Sequence, residues 1–151
     1  MKNFKQKPRE TTNQIVIPKV TEYMVTKLIT FTPDTEIKEV IETLTKHKIT
    51  GAPVLDNHGN VVGLIDDKDC LNVLTSGAYY NLPTVKETVS NYMSNVMKTI
   101  STNEDIMNVA YIFLRTPYKR LLVLDDNGKL AGQISRYDVL LAIKDIKANT
   151  W

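Results

Sequence analysis

The chain has 151 residues, 42% hydrophobic and 24% charged, a composition too apolar for an intrinsically disordered chain, in a length that leaves little room for an enzyme with separate cofactor and substrate lobes. The formal net charge of +2 is small and its carriers are spread along the chain, so bulk electrostatics argue for neither nucleic acid nor a membrane surface as a partner. The single cysteine, Cys70, excludes an intramolecular disulfide, and no apolar run approaches the roughly 20 residues of a membrane span, so a cytoplasmic protein is expected.

Residues 1–13 read as a flexible polar tail, with Lys2, Lys5, Lys7 and Arg9 among Asn, Gln and Pro. A basic arm for nucleic acid is the competing reading of the same residues. The β-rich run Leu28 to Thr32 predicts a strand, Pro33 suits a first helical position, and Ile37, Val40, Ile41 and Leu44 lie at helical spacing. Two short apolar strands, Ala52 to Leu55 and Val61 to Ile65, follow as a hairpin turning through Asp56, Asn57, His58 and Gly59, and a closing helix begins near Lys68. The segment 75–88, with Gly77 and Pro83, reads as a linker. Beyond it Ser101 and Glu104 can form a capping box before the helical stripe Ile106, Val109, Ala110 and Phe113. A second hairpin, Leu121 to Leu124 and Leu130 to Ile134, and a closing helix from near Tyr137 complete the chain.

The two halves are copies of one another. Sliding the sequence by 69 positions lays Val20 to Leu74 over Val89 to Ile143 with 14 identities in 55 positions and no gap. Tyr23 meets Tyr92, Met24 meets Met93, Gly63 meets Gly132 and Asp69 meets Asp138. A unit of this size needs its twin to bury its apolar face. The expected fold class is α/β of the α+β type, built from two tandem β-α-β-β-α units over 14–74 and 89–147.

The repeated order, with Pro-Val-Leu-Asp at Pro53 to Asp56, the run Gly63 to Asp69 after it, and Arg120 to Asp138 in the second copy, resembles the CBS domain family. The resemblance covers about Val20 to Ile143. It implies a tandem module packed by pseudo-twofold symmetry, with two clefts between the repeats and a tendency to pair into a disc-like homodimer. It further implies binding of an adenine nucleotide (AMP, ADP or ATP), with S-adenosylmethionine or a cyclic dinucleotide as the alternative ligand. No cofactor is required, no chemistry is performed on the ligand, and the signal passes to a separate effector protein. A structural dimerisation module whose clefts have lost their ligand is the competing function. An enzyme is disfavoured by the residues themselves: there is no Gly-rich phosphate loop, no metal-ligand spacing, and no nucleophile set beside His47 or His58, which read as surface residues.

The informative element of the family is Ser/Thr-x-x-Asp between the third strand and the closing helix, matched in full by Ser135 and Asp138. A carboxylate there can accept from ribose hydroxyls, while the hydroxyl and the open amides of a helix start can receive a phosphate oxygen. The same pair could instead serve only as a helix cap. By position match the cleft is completed by Thr21, Thr26, Ile49 and Thr50 of the first copy, with Lys119 and Arg120 positioned to neutralise phosphate. In the first copy Asp69 keeps the carboxylate, but Asp66 replaces the hydroxyl and Asp67 adds a charge, so that the second cleft is expected to be weak for a phosphorylated ligand.

Overall fold

The computed structural model describes residues 15–75 and 87–148, so the expected tail and nearly all of the expected linker lie outside the described residues. In the first copy, Ile37, Val40 and Leu44 recur at helical spacing and form the buried stripe of α1 (Ile37–His47). The hairpin β1 (Gly51–Leu55) and β2 (Val61–Asp66) is antiparallel, and α2 (Asp67–Thr75) closes the copy. The hairpin turn is held by Asp56, whose carboxylate accepts from the amides of His58 and Asn60 at 2.9 Å each, while Gly59 supplies the φ of +78° that the turn needs. The second copy repeats the plan with a short helical turn α3 (Val89–Tyr92), β3 (Thr99–Ser101), α4 (Ile106–Arg115), β4 (Arg120–Leu124), β5 (Leu130–Ser135) and α5 (Arg136–Ala148). Both hairpins shift register at the same place, after Val54 and after Val123.

The copies exchange their leading segments. Val20, in a 3-10 turn at Val20–Glu22, is fully buried in the core of the second copy with Ile106, Val109, Leu121, Val123 and Ile134. Val89, its counterpart, is fully buried in the first copy with Val40, Val54 and Ile65. The backbone follows the same rule. Lys19 bridges Asp105 and Val25 bridges Gln133, while the equivalent residues Thr88 and Ser94 bridge Glu36 and Leu64. These reciprocal pairs are the pseudo-twofold axis written in hydrogen bonds, and they make each core incomplete without the other half of the chain.

Three local expectations are corrected. The opening strand expected at Leu28 to Thr32 is reduced to one parallel bridge between Phe31 and Val54, whereas its counterpart β3 pairs with β4 over three residues. In the second copy Leu122 donates its amide to Lys98 and Thr102 donates to Leu124; the equivalent donors in the first copy are Pro53 and Pro33, which have no N–H. Pro33 does not begin a helix, since α1 starts at Ile37 and the intervening residues form a turn in which Thr35 donates its amide to the Thr32 carbonyl. The expected Ser101–Glu104 capping box is absent from α4: Asp105 is the cap and accepts from the Asn108 amide at 2.8 Å, while Ser101 Oγ accepts from Asn103 in the preceding turn.

Candidate functional site

A cleft of about 380 Å³ opens between the two copies. The second copy contributes Lys119 and Arg120 at the start of β4 and Gln133 and Ser135 on β5; the first contributes Val25 to Ile29 except Thr26, together with Lys48 to Gly51 and Pro53. The exchanged segment accounts for this meeting of distant residues. Val25 and Gln133 donate their amides to each other's carbonyls at 2.8 and 3.0 Å, which carries Lys27, Leu28 and Ile29 to the mouth of the second copy's sheet. Gly132 permits the approach: a Cβ there would stand 2.7 Å from Met24 Sδ and 2.9 Å from the Val25 carbonyl.

Ser135 lines the cleft and Asp138 stands directly behind it. The Asp138 carboxylate accepts from the Ser135 amide at 2.8 Å and from Ser135 Oγ at 3.0 Å, and the Asp138 amide donates to Ser135 Oγ at 3.3 Å. The pair is thus a reciprocal helix cap in which one carboxylate oxygen takes both contacts from Ser135. Ile49, Thr50, Lys119 and Arg120 all line the same cleft as Ser135. Thr21 and Thr26 do not: Thr21 is exposed in the 3-10 turn, and Thr26 is exposed between the lining residues Val25 and Lys27.

Arg120 is the most constrained cation of the site. Its guanidinium donates to Thr50 Oγ1 at 2.6 Å; burial lowers its proton affinity, and the charges of Asp66 and Asp67 oppose that shift.

The other strand–helix junction has the same backbone and different chemistry. Asp66 donates its amide to the Asp69 carboxylate at 3.0 Å, and Asp69 returns the bond to the Asp66 carboxylate at 2.8 Å. Burial, and next the charges of Asp66 and Asp67, lift the Asp69 carboxyl to about 6, against the stabilising bond from the Asp66 amide. An anion meets repulsion at this junction. A more apolar hollow of about 420 Å³ adjoins it between α1 and α2, lined by Ile41, Leu44, Cys70 and Leu71 among others. Burial first, and then Asp69, Asp66 and Asp67, push the Cys70 thiol to about 11, which leaves it protonated and unreactive at neutral pH.

Sequence reasoning missed Lys27, Lys48 and Gln133. Lys48 caps α1 in the left-handed region, with φ 53° and ψ 41°. Gln133 Oε1 is buried in the cleft wall with no hydrogen-bond partner among the described residues. Each could have been found by asking where the two copies differ, since the equivalent positions hold Val96, Pro117 and Leu64.

Comparison with known proteins agrees with this architecture. The CBS domain family matches twice, over residues 20–76 and 89–145. The chain is 32% identical to the CBS domain-containing protein CBSX1, chloroplastic, of Arabidopsis thaliana over 85% of its own length, and spans 65% of that relative. It shares 28% identity with the CBS-pair protein CBSX2 of Arabidopsis thaliana, whose crystal structure in complex with AMP superposes with a TM-score of 0.74 over 85% of this chain and 98% of that one. The CBS domain pair of protein MJ0100, crystallised with 5′-methylthioadenosine and S-adenosyl-L-methionine, has the same fold at a TM-score of 0.72 and 24% identity, over 86% of this chain and 98% of that one. No helix among the described residues is long and apolar enough to cross a membrane. Two family matches in tandem, on two units that complete each other's cores, mean that the chain belongs to the CBS domain family.

Proposed function

We propose that this chain is a regulatory module that binds an adenosine-containing ligand in the Ser135 cleft and passes the binding event to a separate effector protein. The carrying observation is the meeting, in one cleft, of Ser135, bonded to Asp138 outside the lining, with four cations (Lys27, Lys48, Lys119, Arg120) and an apolar floor of Leu28, Ile29, Ile49 and Pro53. An adenine ring suits the apolar floor, the ribose diol suits the Asp138 carboxylate oxygen that Ser135 does not use, and phosphate suits Ser135 with the cations. The complex of the CBSX2 protein with AMP supports an adenine nucleotide as the ligand class. Binding, not catalysis, fits the residues, since neither His47 nor His58 lines the cleft with Ser135. Asp69 marks a second, weaker cleft.

The homodimer expected for this architecture is part of the proposal. Its support is a set of exposed apolar side chains on the closing helices and α4: Leu71, Leu74, Leu114 and Leu140 are 64, 59, 81 and 62% exposed. Light scattering giving twice the chain mass at micromolar concentration agrees with it, and a monomer contradicts it.

Thermal unfolding with and without AMP, ATP, S-adenosylmethionine and cyclic di-AMP tests the function. A ligand that binds only the folded state adds about 2.7 kcal/mol at 100 times its dissociation constant. A flat response to all four contradicts ligand binding and leaves a structural dimerisation module.

A further inference from the structure

The four cations of the Ser135 cleft all occupy positions at which the other copy has an uncharged residue. With the 69-residue offset, Lys27 corresponds to Val96, Lys48 to Pro117, Lys119 to Thr50 and Arg120 to Gly51. The acidic differences run the opposite way, with Asp66 at the position of Ser135 and Asp67 at that of Arg136. Divergence of the copies has therefore gathered positive charge on one cleft, whose described lining holds no carboxylate, although Asp66 and Asp67 act on Arg120 from the adjoining junction.

The cations also differ in what they are available to do. Arg120 is the register partner of Ser135 across β4 and β5, and it is tied to Thr50. It and its neighbour Lys119 stand beside any phosphate held at Ser135. Lys27 and Lys48 come from the opposite copy, and no described residue pairs with their ammonium groups. Lys48 carries a long side chain at the end of α1, where its left-handed backbone caps the helix by donating to Leu44 and Thr45, and it also lines the adjoining hollow that holds Asp67. A nucleoside monophosphate brings roughly two negative charges, which Arg120, Lys119 and the Ser135 hydroxyl can meet. Lys27 and Lys48 are then in surplus, and a sulfonium ligand would meet repulsion from the whole set.

We infer that the Ser135 cleft selects an adenosine di- or triphosphate over the monophosphate and over a sulfonium nucleoside, with Lys27 and Lys48 as the residues that read the added phosphates. The inference rests on the adenosine-ligand reading above and names the chemical class of that ligand.

Calorimetric titration of the full chain with AMP, ADP, ATP, S-adenosylmethionine and inorganic tripolyphosphate tests it, alongside the double variant Lys27→Gln/Lys48→Asn, in which asparagine tolerates the left-handed backbone. The expected result is ADP or ATP binding at least tenfold more tightly than AMP, with the ratio falling below threefold in the double variant. Lys27→Gln alone, at an exposed site outside regular structure, replaces the double variant if that one unfolds; the ATP-to-AMP ratio should again fall. AMP or S-adenosylmethionine binding as tightly as ATP overturns the inference while leaving the adenosine reading intact, as does a variant that keeps the full ratio. Tripolyphosphate matching ATP reduces the cleft to an anion patch and also overturns it. Silence from every adenosine compound overturns the adenosine reading itself, and the inference with it.

Discussion

The guanidinium of Arg120 donates to Thr50 Oγ1 at 2.6 Å, seventy residues away, and its Nη1 occupies space that a Cβ on Gly51 would approach to 2.7 Å. Gly51 is the counterpart of Arg120 in the other copy, and Thr50 is the counterpart of Lys119. Near the pseudo-twofold axis, then, a cation from one copy fills the room left by a missing side chain in the other. A side chain at Gly51 would displace the Arg120 guanidinium and press on the Ile65 carbonyl, so the two copies differ at this contact.

Gly51→Ala tests this packing. The new Cβ would also stand 2.9 Å from the Ile65 carbonyl, which belongs to backbone and cannot swing away. Overpacking of this kind destabilises by about 1–3 kcal/mol, measurable by urea denaturation. Adding Arg120→Ala should return only part of the loss, because the clash with Ile65 remains.

Gln133→Leu should separate stability from function. Its buried Oε1 lacks a partner among the described residues, and the equivalent residue of the first copy is Leu64. Removing a buried, unsatisfied polar atom should raise the stability of the unliganded protein by about 1 kcal/mol. If Oε1 awaits a hydrogen from the ligand, nucleotide affinity should fall about tenfold in the same variant; unchanged affinity would leave Gln133 without a role in binding.

Asp69 gives the protein a pH dependence with a definite sign. Its carboxyl is lifted from an ordinary 3.8 to about 6 in the folded state, chiefly by burial, so the folded state favours the protonated form. The stability associated with that proton is fully present below about pH 4 and is lost as pH rises through about 6. Asp69→Asn keeps an oxygen to accept from the Asp66 amide and has no proton to lose. Denaturation at pH 5 and pH 7.5 should show the unmodified protein losing stability relative to this variant; parallel behaviour would contradict the shift.

Much of this molecule was legible as repetition. The 69-residue offset carried the hairpins, the closing helices and the Ser135–Asp138 and Asp66–Asp69 junctions, because turn residues such as Asp56 and Gly59 act locally and recur at Asp125 and Gly128. The exchange of leading segments was not legible. Val20 and Val89 are matched valines in sequence, and nothing local says that each is buried in the other copy's core. That choice is made by long-range pairings such as Val25 with Gln133. The same pairings explain why the position match placed Ile49, Thr50, Lys119 and Arg120 around Ser135, yet put Thr21 and Thr26 in the lining where the structure has Val25 and Lys27. The shortened opening strand was within reach of the sequence, since Pro33 and Pro53 remove two parallel donors that the second copy has.

The most direct test of one dominant cleft is calorimetric titration of an adenine nucleotide into the unmodified chain, Asp138→Ala and Asp69→Ala, with each variant first shown to be folded. The Asp138 carboxylate backs Ser135, which lines the cleft, whereas Asp69 is backed by the acidic pair Asp66 and Asp67. Hydrogen bonds from ribose to a charged acceptor contribute about 1.5–3 kcal/mol each, so Asp138→Ala should weaken binding tenfold or more while Asp69→Ala changes it less than threefold. The unmodified protein should show one strong site per chain. Two equal sites per chain, or an Asp69→Ala loss as large as that of Asp138→Ala, would contradict the account.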